Sequence, residues 1–398
     1  MLTLDKVYHA AYVLKNVIRD TSVIQAPNIN PEADVYLKTE NLQITGSFKV
    51  RGAYYKISQL SDEEKAKGVI ACSAGNHAQG VALGATANGI KSLICLPDGA
   101  PISKVEATKK YGADVCLVKG VYDDAYAKAM ELKDEMGYTF IHPFDDIDVI
   151  AGQGTIGLEI LDQLSELDAV IVPVGGGGLI SGVAFAIKSL RPQCKVYGVQ
   201  SAGAASMFRS LKDNQICHLG SVKTIADGIA VKTPGDNTFE LCSKYVDEIV
   251  TVTDDEVASA ILALMEQQKL VAEGAGAVSV AAAMFNKVDI KGKKVCCLIS
   301  GGNIDVTILS RVISRGLLSS GRSLSIKIAL NDKPGQLEMV SKIIADLGGN
   351  IVSIYHDRYD LNIDIVSCIL DLRVETRDFE HINAIINKLK EEGFKIVE

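Results

Sequence analysis

Four consecutive glycines, Gly175, Gly176, Gly177 and Gly178, follow an apolar run at residues 170–174 and precede a helix-forming run that opens at Leu179. Glycine lets the backbone approach a ligand closely, and a helix N-terminus offers unpaired N–H groups and the positive end of the peptide dipoles. Phosphate is the natural ligand of such a turn. No Gly-Lys-Ser/Thr follows, so this is not a nucleotide P-loop, and it suits a phosphate that is held and not transferred. A second group is Ser47, Phe48 and Lys49. Ser47 reads as an N-cap, which places Lys49 in a first helical turn, where the positive helix end disfavours an ammonium. A lysine that is readily neutral is the nucleophile a Schiff base requires. One phosphate site and one such lysine together suggest pyridoxal phosphate.

Three further groups weigh differently. Ser73, Ala74, Gly75, Asn76 and His77 follow a strand-like run at residues 68–72. They make either an anion pocket with side-chain donors or an ordinary helix cap. Ser300, Gly301, Gly302 and Asn303 follow another such run, and Ser300 offers a neutral hydroxyl to a ring nitrogen unless the turn is merely tight. Residues 152–157 fit G-x-G-x-x-G. Asp145, Asp146 and Asp148 spoil the strand that should precede them, and the next strand ends at Val174 without a ribose-binding acid, so no dinucleotide site is expected there.

Such turns need strands and helices to hold them. Residues 35–38, 68–72, 92–96, 114–118, 169–174, 195–199 and 294–299 read as strands, several apolar throughout, as in a parallel sheet covered on both faces. Helices are expected between them at residues 103–111, 123–136 and 255–269. This is an α/β grammar, whose ligands bind beyond the carboxyl ends of the strands. Residues 319–323 are small and polar and read as a linker. Beyond it, strands at 324–330, 351–356, 363–372 and 394–397 and helices at 336–347 and 378–392 give the order βαββαβ, a ferredoxin-like domain.

Composition limits the function classes. The chain has 398 residues, enough for two or three domains, with 41 Lys plus Arg against 49 Asp plus Glu and a net charge of -8. That balance argues against a nucleic-acid partner. Nine cysteines without a CxxC pair resemble neither a disulfide framework nor a zinc site, and the adjacent Cys296 and Cys297 read as core. No metal site is expected. Scattered thiols, no signal-peptide core and no run of about 18–20 apolar residues point to a soluble cytoplasmic protein without a membrane partner.

The stretches at residues 38–42, 46–53, 73–80, 175–179 and 300–303 together resemble the threonine/serine dehydratases, over roughly residues 5–318. These are pyridoxal-phosphate enzymes of the tryptophan-synthase β fold type (fold type II), with open, mostly parallel twisted sheets in two catalytic subdomains. The resemblance implies a catalytic domain at residues 1–318, with a small subdomain inserted at roughly 41–150. Residues 324–398 resemble an ACT domain, a small amino-acid-sensing module. By that resemblance Lys49 carries the cofactor as a Schiff base and shuttles the α-proton. Gly175, Gly176, Gly177, Gly178 and Leu179 hold the phosphate, Asn76 faces the 3′ oxygen and Ser300 the pyridine nitrogen. The turn Ser73, Ala74, Gly75, Asn76, His77 takes the substrate carboxylate.

The implied activity is threonine ammonia-lyase, giving 2-oxobutanoate and ammonia, with L-serine a slower substrate. A serine dehydratase, a 3-hydroxyaspartate ammonia-lyase and a non-catalytic amino-acid sensor remain as alternatives. Serine racemases carry a Ser where this chain has Ala74, so little racemisation is expected. Gln200 and Ser206 stand where relatives carry acidic cation ligands. In the tail, Asp332, Pro334, Gly335 and Gln336 are the expected effector site, for isoleucine or another branched-chain amino acid, as isoleucine biosynthesis would require. A homodimer or homotetramer is implied.

Overall fold

The computed structural model describes residues 1–359 and 364–397. It divides into two units, Met1–Asp305 and Val306–Glu398. The first unit contains strands β1 (Val23–Gln25), β2 (Asp34–Lys38), β3 (Val69–Cys72), β4 (Ser92–Pro97), β5 (Asp114–Val118), β6 (Thr139–Phe140), β7 (Ala169–Pro173), β8 (Lys195–Ser201), β9 (Glu248–Val252) and β10 (Lys294–Leu298). They form two sheets, ordered β1-β2-β10-β7-β8-β9 and β5-β4-β3-β6. Every pairing is parallel except that of the edge strand β1 with β2. This is the expected α/β class.

The parallel strands follow from burial on both faces. Every residue of β3 and β7 is buried, as are four of the five in β10. Cys296 and Cys297 point to opposite faces of β10 and both are fully buried, so their thiols pack as small apolar groups. The short β1 and β6 and the half-exposed edge strand β9 were not among the expected strands. β1 and β6 are too short, and β9 carries too many polar residues, to stand out as apolar runs. The helix expected at residues 255–269 is shorter, Asp254–Ala263, and continues as a π-helical turn, Leu264–Gln268, that stops at Lys269 with φ +58°.

Residues 152–157 lie inside the helix Ile147–Gln163. A Cβ on Gly152 would overlap the backbone of Arg51 and Gly52, and one on Gly154 would press against Gly182 O at 3.0 Å. These glycines let three helices pack backbone to backbone, which is why the fingerprint marks no dinucleotide turn.

In the second unit the helix Val306–Ser319 leads to β11 (Ser323–Asn331), β12 (Asn350–Asp357), β13 (Ser367–Glu375) and β14 (Lys395–Ile396). The sheet is antiparallel, ordered β12-β13-β11-β14. Helices Gln336–Asp346 and Phe379–Glu391 supply Val340, Ile344, Ile385 and Leu389 to one core with Ile328, Leu370 and Leu372. The βαββαβ order is thus present. Ser319 and Ser323 belong to regular elements, leaving residues 320–322 between them. Ser320 Oγ and the Arg322 amide cap the helix by donating to Gly316 O and Leu317 O, both at 2.8 Å. The strand expected from residue 363 begins at Ser367, and Ile363 itself lies outside the described residues. Among the described residues no helix is long and apolar enough to cross a membrane.

Candidate active site

The turns singled out in the first unit meet at the carboxyl ends of the parallel strands, as open α/β sheets require. They line a cavity of about 820 Å³, whose walls include Lys49, Asn76, Gly175–Leu179, Glu273 and Ser300. The turn after β7 runs straight into the helix Gly178–Leu190. Gly177 has φ +99°, which only glycine adopts without strain. A Cβ on Gly176 would lie 2.5 Å from the Phe144 ring, and one on Gly178 2.7 Å from Phe144 O. Thr238 Oγ1 donates to Gly176 O at 2.6 Å, so the turn is clamped from outside. The first-turn amides of a helix have no intrahelical acceptor, and the Ser181 amide, donating to Gly177 O at 2.9 Å, is where pairing resumes.

Lys49 opens the helix Lys49–Ser58. The expectation that Ser47 caps this helix is corrected: Phe48 holds the cap position, and no side chain caps it. Ser47 instead bridges Gly301 through the backbone. The Phe48 amide donates to Ser300 O at 3.1 Å and the Gly302 amide to Gly46 O at 2.9 Å. The lysine and the Ser300 turn are therefore joined by main chain. The reason offered for a neutral amine also changes. Burial pulls the Lys49 amine down to about 8, against the pull of Glu273 the other way. Its Nζ donates to Pro143 O at 2.7 Å.

Arg51, two residues on, anchors the same helix. It is fully buried, reaches both oxygens of Glu40 at 2.8 Å and pairs with Glu159 at 2.5 Å. Burial works against the Glu40 charge, but Arg51, with help from Thr21 and Lys38, more than offsets it and holds the carboxyl below its ordinary value.

Asn76 begins the helix Asn76–Ala87. Its Oδ1 accepts from Asn303 Nδ2 at 2.8 Å and its Nδ2 donates to Glu273 Oε1 at 2.7 Å. The amide orientation is thereby fixed, and one N–H remains for the cavity. Glu273 escaped the sequence reading because it stands between apolar runs with no motif around it. Burial, and next Asp227, push its carboxyl up to about 7. Ser300 Oγ donates to Ala275 O at 3.3 Å, a long bond that leaves the hydroxyl free to turn.

In the turn after β3, Ser73 Oγ accepts from the Gly75 amide at 3.2 Å, and Ala74 lies between them on the cavity wall. His77 is buried, its Nε2 is 2.8 Å from Ile141 O, and burial followed by Lys49 pulls it down to about 3. It is a neutral structural group and supplies no positive charge to a carboxylate.

Two cations that the sequence did not flag also line the cavity. Lys104 pairs with Asp227 at 2.8 Å and Lys232 with Asp123 at 3.0 Å. Gln200 is buried beneath the glycine turn. Its Nε2 donates to Val174 O at 3.3 Å, and its Oε1 accepts from the Phe208 amide at 2.8 Å.

A buried lysine lowered towards neutrality, an amide-rich glycine turn, an oriented carboxamide and a neutral hydroxyl in one cavity are the donor set that pyridoxal phosphate fits. The chain matches the family of pyridoxal-phosphate dependent enzymes over residues 14–301 and belongs to it. It is 49% identical to an L-threonine ammonia-lyase of Thermotoga maritima, over all of this chain and 99% of that protein. A catabolic L-threonine dehydratase of Escherichia coli K12 is 48% identical over 71% of this chain and 86% of its own length. Among solved structures, a threonine deaminase of T.th. superposes with TM-score 0.73 at 37% identity, covering 76% of this chain and 99% of that one. A maize serine racemase gives 0.75 at 34%, covering 80% and 98%.

Proposed function

We propose that the chain is an L-threonine ammonia-lyase that also turns over L-serine more slowly, and that its second unit senses an amino acid. The observation that carries the reading is Lys49, an amine lowered to about 8 in a cavity shared with the amide-rich glycine turn. The full-length likeness to an L-threonine ammonia-lyase supports the substrate.

Bound pyridoxal phosphate supplies an electron sink that makes the α-hydrogen of an amino acid removable. The protein's part is to place and to move protons. Gly175–Leu179 hold the phosphate with backbone amides, and Thr238 keeps that turn in shape. Asn76, oriented by Glu273 and Asn303, donates to the 3′ oxygen. Ser300 would turn its hydroxyl to the pyridine nitrogen, and being neutral it would place no negative charge there to hold a proton on the ring. The turn Ser73, Ala74, Gly75, Asn76, His77 receives the substrate carboxylate through the Ala74, Asn76 and His77 amides and the Ser73 hydroxyl, since the Ser73 and Gly75 amides already donate to Cys95 O and Ser73 Oγ. Lys49 Nζ takes the proton from Cα. The products are 2-oxobutanoate from threonine and pyruvate from serine, each with ammonia.

Lys104 and Lys232 bear on the alternative of 3-hydroxyaspartate, since either could meet a β-carboxylate. Each already has an acidic partner, so threonine stands first. Ala74 leaves no hydroxyl to act as a base from the opposite face, and racemisation is minor. Ranking threonine, serine and 3-hydroxyaspartate by kcat/KM tests the substrate. A clear preference for 3-hydroxyaspartate would overturn it.

For regulation, the turn at Asp332, Pro334, Gly335 and Gln336 takes a free branched-chain amino acid, isoleucine first. The site is completed by a second copy of the domain in a homodimer or homotetramer. The exposed Val352, Ile354 and Tyr355 on the edge strand β12 support such pairing.

A further inference from the structure

Away from the cavity, the described residues bring together one group of mixed metal-binding donors, in the second unit. Asp332, His356 and Cys368 each present a ligand atom, and these three atoms lie within 4.8 Å of one another. They come from three adjacent stretches of the sheet. Cys368 sits on β13, the middle strand, with His356 on β12 to one side and Asp332 just past β11 on the other. The register puts Cys368 opposite Leu330 and His356 opposite Leu370, two residues along β13, so both side chains share the face that carries the core. The Asp332 amide donates to Val366 O at 2.9 Å, which fixes where that carboxylate leaves the sheet.

The three groups converge without satisfying one another. The buried Cys368 thiol has only a weak bond to Leu330 O at 3.7 Å. Asp332 pairs with Arg358 at 3.1 Å, and both side chains are well exposed, so a stronger partner displaces that pair easily. We propose that Asp332, His356 and Cys368 form a site for a divalent transition metal of the zinc class.

The donor set selects the metal. Thiolate and imidazole suit zinc and its neighbours, whereas magnesium and calcium want an all-oxygen shell. Three protein ligands leave the fourth tetrahedral position to water or to an incoming ligand. Bonds of about 2.0–2.3 Å to one ion bring donors to roughly 3.5 Å of each other. His356, on the exposed edge strand, has the freedom to close that gap. A metal here would tie the ends of three strands together and, through Asp332, engage the 331–335 turn itself, leaving Gly335 and Gln336 to offer their amides.

Cobalt(II) is the probe, titrated into the full-length holoenzyme after dialysis against a chelator. One equivalent should bind with a thiolate-to-cobalt charge-transfer band in the near ultraviolet, and zinc should displace it. His356→Ala, at an exposed position, and Cys368→Ser should each weaken binding at least ten-fold while threonine turnover without added metal stays unchanged. Because Cys368→Ser could disturb the core, His356→Ala is the deciding variant. Absence of a thiolate band, or a band that survives His356→Ala, would overturn the site, the latter by assigning the ion to another cysteine. This outcome is independent of the threonine reading, which turnover tests separately.

Discussion

Two turns in this molecule share a local design and differ in everything around it. In each, a strand passes to a helix through a left-handed glycine: Gly177, with φ +99°, in the first unit and Gly335, with φ +89°, in the second. Around Gly177 a Cβ would lie 2.7 Å from Met207 and 2.8 Å from Thr238; around Gly335 it would meet nothing within 4 Å. The first turn is buried among groups whose protonation burial has shifted. The second is exposed from Asn331 to Gly335. A glycine at a helix start thus offers amides in both places, but only enclosure removes competing water and makes them a pre-organised site. In the first unit the protein supplies that enclosure itself.

The largest expected effect tests whether the enclosed cavity is catalytic at all. Lys49→Ala should lower threonine turnover by about 10³-fold or more while leaving the fold intact, because the other two cavity lysines, Lys104 and Lys232, are held in ion pairs. Circular dichroism checks the fold and 2-oxobutanoate formation the rate. Activity at a tenth of wild type would remove Lys49 from its role.

Next comes the clamp on the glycine turn. Gly176→Ala drives a methyl into the Phe144 ring, and overpacking of this kind costs about 1–3 kcal/mol. Pyridoxal phosphate should then bind roughly ten- to a hundred-fold more weakly, as read by reconstitution of the apo-protein. Unchanged affinity would mean that the enclosure does not matter to the phosphate.

A smaller effect sharpens the electrostatics. Glu273→Ala removes the acceptor that orients Asn76, and turnover should fall about ten-fold, the worth of one such bond. The same change has a signed pH consequence. The Glu273 carboxylate holds the Lys49 amine up, so its loss should move the midpoint of pH-dependent reconstitution below about 8. A midpoint that moves upward, or not at all, would separate the two groups.

The sequence exposed those parts of the site that are written in consecutive residues. The four glycines, the Ser73-to-His77 turn and Ser300 all sit after apolar strands, where the period of burial shows through. What escaped depends on distant partners. Glu273 reaches Asn76 across almost two hundred positions, and Lys104 reaches Asp227 across more than a hundred. Ser47 looked like a cap because Ser is favoured there, yet a backbone bridge to Gly301 took precedence over that propensity. The G-x-G-x-x-G of residues 152–157 shows the converse: a pattern made for close approach, used between helices. In the fold, the covered strands and the apolar edge strand β5 were legible, whereas β1 and β6 are too short and β9 too mixed to show a pattern.

The smallest expected effect asks whether the exposed turn becomes a site when a second copy encloses it. Isoleucine should change the threonine kinetics of the full chain by about five-fold, the lower end of common coupling energies. The response should vanish in a chain ending at residue 320. That shortened chain is a fair control, because a solved threonine deaminase spans 99% of its own length within 76% of this chain. Sedimentation with and without isoleucine should show the same oligomer or a tighter one, since the proposed pairing of β12 would bring the enclosing surface. If the response persists after truncation, the effector acts in the first unit, and the exposed turn has no sensing role. If neither kinetics nor calorimetry registers any branched-chain amino acid, the second unit serves only to hold copies together. In both cases the contrast between Gly177 and Gly335 would stand as one between a site and a bare turn.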